Sequence, residues 1–161
     1  MALVRILNPK QFDREKHRFS NVAFKPSSGA DPTSPDGKCG ISVFHLECAC
    51  GDGPPDCICE HIARFYSPPY SEPAVYWVFE EDILESPDPS TPEPVIVSVP
   101  SDSGDDCHRN IHHVTPKRSK TIFYRAADPP EDHLHICMDR HSEPWDEERL
   151  VELSPLLPGG V

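Results

Sequence analysis

The stretch AVYWVF, Ala74 to Phe79, decides how this chain folds. Its β-branched and aromatic side chains are the types that pack well on a sheet. Leaving such a run in water would cost free energy in proportion to its apolar area. The stretch therefore predicts a buried strand, Val75–Phe79. A second apolar run, Val95 to Val99, predicts another strand, so the chain is not disordered throughout.

Further strand and helix predictions lie on both sides of this run. Short apolar segments predict strands at 3–7, 40–48, 95–99, 121–125 and 133–138. Helical spacing of apolar residues predicts a helix at Cys57–Tyr66, and a last helix is expected at 144–153. Because strands and helices do not alternate regularly, the pattern favours an α+β fold with a twisted, largely antiparallel sheet and two or three short helices. We expect one small domain, 1–154, and a tail, 155–161.

Acidic residues dominate the charge of the chain. Lysine and arginine total 15 against 27 aspartates and glutamates, which gives a net charge of -12 at pH 7. Because nucleic-acid affinity comes largely from cations that displace counterions, this balance disfavours a duplex-binding module. The segment HRNIHHVTPKRSK, His108 to Lys120, is the basic exception. Its Arg109, Lys117 and Arg118 predict either an anion-binding site or a solvated loop that balances acidic neighbours.

The first residues, MALVRILNPKQF, carry no basic region, long apolar core or small-residue cleavage site of the kind found in secretory signals. No apolar run approaches the length of about 18 residues that a membrane helix needs. We therefore expect a cytoplasmic chain that does not enter a membrane. In that reducing compartment the seven cysteines are expected to be thiols or metal ligands rather than disulfides.

Sulfur and imidazole donors are concentrated in HLECACGDGPPDCICEH, residues 45–61. An extended chain would direct both cysteines of the motif CAC to one side, while donors four residues apart share a helix face. We therefore predict a tetrahedral zinc site here. Its candidate ligands are Cys48, Cys50, Cys57, Cys59 and His61. Unligated thiols, a redox pair or a disulfide are alternatives that the spacing leaves open.

A second group of donors lies in EDHLHICMDRH, residues 131–141. Strand alternation would place three apolar residues on a core face, namely Leu134, Ile136 and Met138. Three donors would share the opposite face, namely His133, His135 and Cys137. His141 follows after a turn, and His112 and His113 form a matching group upstream. These residues predict either a functional cluster or an exposed polar face without a role.

The motif SNVAFKP, Ser20 to Pro26, together with GISV at 40–43 and DCHRNIH at 106–112, carries a family resemblance. It resembles small bacterial proteins with a Ser-x-x-Ala-Phe-Lys-Pro signature. The resemblance implies relatedness but no particular activity. The cysteine-rich segment is not part of that pattern.

The histidine pattern also resembles the His-His…Asn…His layout of HNH nucleases. That resemblance implies that His113 would activate water, while His112 and His141 would hold a divalent metal ion. Asp132 stands where the family has asparagine, and Arg140 stands where a structural cysteine is common.

Two functions follow as expectations. The first is a small acidic zinc-binding accessory or protein-interaction protein of a bacterial system, with a protein partner. The alternative is a metal- or histidine-dependent enzyme acting on a nucleotide or nucleic acid, either HNH-like or similar to ADP-ribosyltransferases through Arg5 and Ser20. The catalytic candidates of that enzyme are His112, His113, His133, His135 and His141, and its anion-binding candidates are Arg109, Lys117 and Arg118.

Overall fold

The computed structural model describes residues 1–7, 12–13, 15, 18–19, 24–26, 28–51, 56–66, 74–85, 87–100, 104–126, 134–138, 140–144 and 146–149. The expected tail at 155–161 and the candidate His133 lie outside these residues. The strands are β1 (Ala2–Leu7), β2 (Phe12–Asp13), β3 (Arg18–Phe19), β4 (Ile41–His45), β5 (Ala74–Glu80), β6 (Ile96–Ser98), β7 (His108–His112), β8 (Leu134–Met138) and β9 (His141–Pro144). The helices are α1 (Leu46–Cys50), α2 (Asp56–Phe65) and α3 (Pro116–Ala126), with a 3-10 turn at Glu81–Leu84.

Seven of the strands form one open sheet in the order β6-β7-β4-β1-β5-β8-β9, and each neighbouring pair runs antiparallel. Strands β2 and β3 form a separate two-stranded ribbon. The α+β prediction with a largely antiparallel sheet is therefore confirmed. The stretch AVYWVF lies in β5, where Trp77 is paired with Arg5 on one side and Leu134 on the other. Its position between two strands explains why it is so apolar.

Strand alternation gives the sheet two buried faces. On one face, which we call the α3 face, residues such as Leu3 and Trp77 pack with Ile122 of α3. On the opposite face, which we call the α2 face, Val4 and Tyr76 pack with residues of α2. Consecutive strand residues thus contribute to different cores, because successive side chains point in opposite directions.

The alternation predicted for β8 is confirmed. Leu134, Ile136 and Met138 belong to the α3 face, whereas Cys137 belongs to the α2 face. The imidazole of His135 stacks on the ring of Tyr76, with 5.0 Å between ring centroids and 9° between their planes. The face expected to be polar is therefore covered by packing.

The strand predicted at 121–125 is wrong, because these residues belong to α3. Pro116 occupies the first helical position, and the Thr115 hydroxyl accepts a hydrogen bond from Arg118 N at 3.2 Å, as an N-cap does. Ile122 and Phe123 are buried against the sheet. Capping and burial of one helical face outweigh the strand propensity of the segment.

The strand predicted at 40–48 ends earlier than expected. β4 stops at His45, and α1 begins at Leu46. Cys48 and Cys50 therefore lie on a helix and not on an extended segment. The helix predicted at Cys57–Tyr66 is confirmed, since α2 spans Asp56–Phe65.

Candidate functional site

Six of the cysteines form three disulfides on the α2 side of the sheet. The pairs are Cys48–Cys107, Cys50–Cys57 and Cys59–Cys137. Cys39 is a free thiol. A disulfide sulfur is not the thiolate that binds a metal ion. The ligand set expected from Cys48, Cys50, Cys57 and Cys59 is thus not assembled in this state. The expectation of thiols or metal ligands rather than disulfides is wrong for six of the seven cysteines, because the fold brings each of them beside another cysteine.

His61, which was expected beside those cysteines, instead contacts a residue far along the chain. Its Nε2 lies 2.8 Å from Oδ2 of Asp105, and both side chains are buried. One donor atom from each of His61, Asp105 and Cys107 lies within 4.8 Å of the others. These three residues, which we call the buried triplet, could hold a metal ion.

Two further hydrogen bonds orient the Asp105 carboxylate. The Tyr66 hydroxyl donates to Oδ2 at 2.7 Å, and the Cys107 amide donates to Oδ1 at 2.9 Å. Burial alone would raise the pKa of Asp105, but the hydrogen bonds from Tyr66, Cys107 and His61 lower it overall. Burial and the neighbouring Asp105 raise the pKa of Tyr66. The site therefore combines an ionised carboxylate with a protonated phenol.

Aromatic rings hold the imidazole of His61 in place. The centroids of Phe44 and Phe65 each lie 4.8 Å from the imidazole centroid. Phe44 also stacks on Tyr66, with 5.8 Å between centroids. Because these contacts restrict ring rotation, the hydrogen bond between His61 and Asp105 is preorganised.

The described histidines that were catalytic candidates lie on, or directly after, three different strands. His112 ends β7 and His113 follows it, whereas His135 lies on β8 and His141 begins β9. Strands β4, β1 and β5 separate β7 from β8. At about 4.8 Å per strand spacing, these strands are roughly 19 Å apart. The structure therefore does not bring the described histidines into one catalytic cluster.

The metal ligands implied by the HNH resemblance are also far apart. His112 and His141 lie on strands separated by five strand spacings, or roughly 24 Å. The His141 imidazole is exposed and lies 3.4 Å from Asp56 Oδ2.

The three predicted anion-binding residues have different environments. Arg118 is buried, and its guanidinium donates to the His113 carbonyl at 2.9 Å. The Arg109 guanidinium donates to the carbonyls of Asp106 and His108. Lys117 is exposed in the first turn of α3. Two of these cations thus bind backbone carbonyls.

Sequence reasoning missed the carboxylates that contact histidines. Asp105 lies two residues before Cys107 in a turn, and Asp36 lies in a proline-rich loop. Their neighbourhoods predicted loops, where acidic residues are common and usually solvated. The sequence did contain one signal for Asp105. It lies two residues before Cys107, which places a carboxylate and a sulfur, both possible metal ligands, in one turn.

Among the residues that the structure describes, no helix has both the length and the apolar character needed to cross a membrane. Comparisons with protein-family models, with curated proteins and with solved structures find no match for this chain.

Proposed function

We propose that this chain is a small zinc-binding protein whose ion is held by the buried triplet when the disulfide between Cys48 and Cys107 is reduced. The observation that carries the proposal is the convergence of His61, Asp105 and Cys107, whose donor atoms lie within 4.8 Å of one another. Imidazole nitrogen, carboxylate oxygen and thiolate sulfur are the donors that zinc takes in proteins.

The negative charge of the buried triplet supports a bound cation. Reduction of the disulfide would leave the thiol of Cys107 beside the buried carboxylate of Asp105. Once the thiol of Cys107 is deprotonated, a thiolate and a carboxylate lie in a site shielded from water. This arrangement is costly in free energy unless a cation compensates the two negative charges. A divalent ion would provide this compensation and would also lower the pKa of the thiol.

Cys48 supports a four-ligand site. Its sulfur is bonded to that of Cys107, so reduction would release both thiols at the same place. Structural zinc sites are almost always four-coordinate and tetrahedral. Four ligands would be available after reduction, namely His61, Asp105, Cys107 and Cys48.

The hydrogen bonds around Asp105 support the same role. Metal-bound carboxylates are usually oriented by further hydrogen bonds, and Tyr66 and the Cys107 amide provide two of them. An ion here would join α2, which carries His61, to the turn before β7.

The proposal includes an accessory role with a protein partner, as the sequence suggested for a bacterial system. It also includes the cytoplasm as the location, because a reducing compartment keeps thiols available for a metal. The net charge of -12 supports a partner other than duplex nucleic acid. No nucleotide site is part of this proposal.

The test is elemental analysis of protein purified with a thiol reductant and without added metal. We expect about one equivalent of zinc in the reduced protein and far less after oxidation, because ligation requires free thiolates. Asp105→Asn and His61→Gln should each lower the zinc content of the reduced protein. His141→Gln is the matched control, since its exposed imidazole lies on β9.

Thiol titration and circular dichroism of the same samples would show that each variant is reduced and folded. A reduced, folded wild-type protein with less than about a tenth of an equivalent of any transition metal would reject the proposal. Equal zinc content in wild type and Asp105→Asn would reject the assigned ligands.

A further inference from the structure

A second histidine has a carboxylate on one ring nitrogen and a serine hydroxyl on the other. Nε2 of His112 lies 2.9 Å from Oγ of Ser98, and Nδ1 of the same ring lies 3.3 Å from Oδ1 of Asp36. Ser98 ends β6, His112 ends β7, and Asp36 lies in the loop before β4. Three separate parts of the chain therefore converge on one imidazole.

This order of contacts is the one that activates a serine. The imidazole must accept the hydroxyl proton at one nitrogen while the other nitrogen keeps a proton directed at a carboxylate. Asp36 faces Nδ1 and favours the tautomer with its proton there, which leaves Nε2 free to accept from Ser98. Contacts of this kind are often long in an enzyme without substrate, as the 3.3 Å distance is here.

The Nδ1 atom of His112 is unusual for a structural histidine. The His112 side chain is 1% exposed, and within the described part of the chain its Nδ1 makes no hydrogen bond, since the contact with Asp36 is poorly aligned. Buried polar atoms in folded proteins are hydrogen-bonded in the large majority of cases, and exceptions require an explanation. The missing hydrogen bond is explained if Nδ1 of His112 becomes aligned with Asp36 only when a substrate binds.

Asp36 is held in position by three donors. Lys38 N and the Ser34 hydroxyl donate to Oδ1, each at 3.1 Å, and His113 N donates to Oδ2 at 3.2 Å. Burial alone would raise the pKa of Asp36, but these hydrogen bonds lower it overall. The carboxylate thus stays ionised and can stabilise a protonated imidazole.

The backbone next to the histidine is strained. His113 has a φ of 62°, a left-handed conformation that is costly in a residue other than glycine. The hydrogen bond from His113 N to Asp36 holds this conformation. Such strain is found preferentially at functional sites.

A cavity of about 620 Å³ lies beside the imidazole and the carboxylate of this group, and Ser98 is not among the described residues that line it. Asp36 and His112 are among its lining residues, with Pro35 and Val114 as apolar walls and Lys38 as a cation. Ser98 is half-buried on the edge strand β6. A cavity of this size holds a small molecule with an apolar part, and not a folded protein.

We propose that Ser98, His112 and Asp36 form a hydrolytic site for small carboxylic esters. The oxygen of Ser98 attacks the carbonyl carbon of the ester, and its proton passes to Nε2 of His112. The tetrahedral intermediate breaks its bond to the alcohol oxygen, and the alcohol leaves with the proton from Nε2.

The acyl group is then bonded to Ser98 Oγ. Water gives a proton to Nε2 of His112 and attacks the acyl carbon. The bond to Ser98 breaks, the carboxylic acid leaves, and Ser98 regains the proton. No oxidant or metal ion is needed, so this activity is independent of the proposed zinc site.

The experiment uses the full chain in its oxidised form with a chelator present, which removes metal-dependent hydrolysis. A fluorophosphonate probe is added, and peptide mass spectrometry locates the adduct. p-Nitrophenyl acetate serves as the ester. We expect an adduct on Ser98, and we expect Ser98→Ala to lose the adduct and at least about 100-fold of the catalysed rate, a loss typical of activated nucleophiles.

Ser42→Ala is the matched control, because Ser42 Oγ lies 2.7 Å from His108 Nε2 on the neighbouring strand pair. This variant should label and hydrolyse as the wild type does. Asp36→Asn should keep Ser98 in place but slow its labelling at least about 10-fold, because the ring loses its preferred tautomer. Thermal unfolding of each variant verifies folding.

Absence of a Ser98 adduct on the folded wild-type protein would overturn the proposal. An unchanged catalysed rate in Ser98→Ala would overturn it as well. Labelling of Asp36→Asn at the wild-type rate would overturn the role of Asp36.

Discussion

His61 and Asp105 share a hydrogen bond of 2.8 Å although 44 positions separate them in the chain. The bond joins the α2 helix to the turn that leads into β7, on the side of the sheet that also carries the disulfides. It is buried, and Tyr66 donates to the same carboxylate oxygen. This contact therefore contributes to the stability of the disulfide-bonded protein.

Replacing Asp105 by asparagine should destabilise the fold. The change removes a buried charged acceptor from Tyr66 and His61, and lost hydrogen bonds to a buried charge cost roughly 1–3 kcal/mol. Urea unfolding of the oxidised protein measures the free energy. Asp106→Asn is the control, because Asp106 is the exposed neighbour and should change stability by less than about 0.5 kcal/mol. Equal stabilities of the two variants would contradict the role of the hydrogen bonds.

The disulfides should differ in their contribution to stability. Cys59–Cys137 joins residues 78 positions apart, whereas Cys50–Cys57 spans 7 positions. In the chain-entropy model, the longer loop stabilises by roughly 2 kcal/mol more. Double alanine variants of each pair, unfolded in guanidinium chloride, would give this difference. Cys39→Ala, which removes the free thiol, should leave the free energy of unfolding nearly unchanged.

Asp88 should make stability depend on acid pH. Hydrogen bonds from Thr115 and Ser90 lower its pKa to about 2. Because the folded pKa is below the ordinary value of about 3.9, the carboxylate stabilises the fold above pH 4 and loses this contribution as pH falls from about 4 to about 2. Asp88→Asn should flatten the stability profile in that range, and Ser90→Ala should flatten it less. An unchanged slope in Asp88→Asn would show that the hydrogen bonds do not favour the ionised form.

Gly40 should be required for the position of His112. A Cβ atom at Gly40 would lie 2.9 Å from Cε1 of His112 and 2.8 Å from the Ile111 carbonyl oxygen. Gly40→Ala should therefore displace the imidazole, slow labelling of Ser98 by the fluorophosphonate probe and lower the melting temperature. Gly104→Ala is the control, since a Cβ atom there meets nothing within 4 Å. Wild-type labelling in Gly40→Ala would indicate that the ring is held less tightly than its contacts imply.

Several elements could be predicted because their cause is local. The apolar run in β5, the spacing of Ile58 and Ile62 in α2, and the alternation in β8 each follow from a period that the residues themselves carry. The helix α3 was not predicted, because its apolar residues have strand propensity. The N-cap and the burial of one helical face stabilise the helix against that propensity. Local pattern alone does not weigh these two effects.

The sequence by itself determined which residues face a core and where the donors are concentrated. Only the tertiary structure decided their partners. Cys107 contacts Cys48 at a separation of 59 positions, and Asp105 contacts His61 at a separation of 44, because β7 lies beside β4 in the sheet. The side-chain period of a strand is set by neighbouring residues, whereas strand order depends on the free energy of the whole sheet. For that reason the four cysteines at 48–59 were recognised as a group, but their pairing with Cys107 and Cys137 and the carboxylates beside the histidines were not.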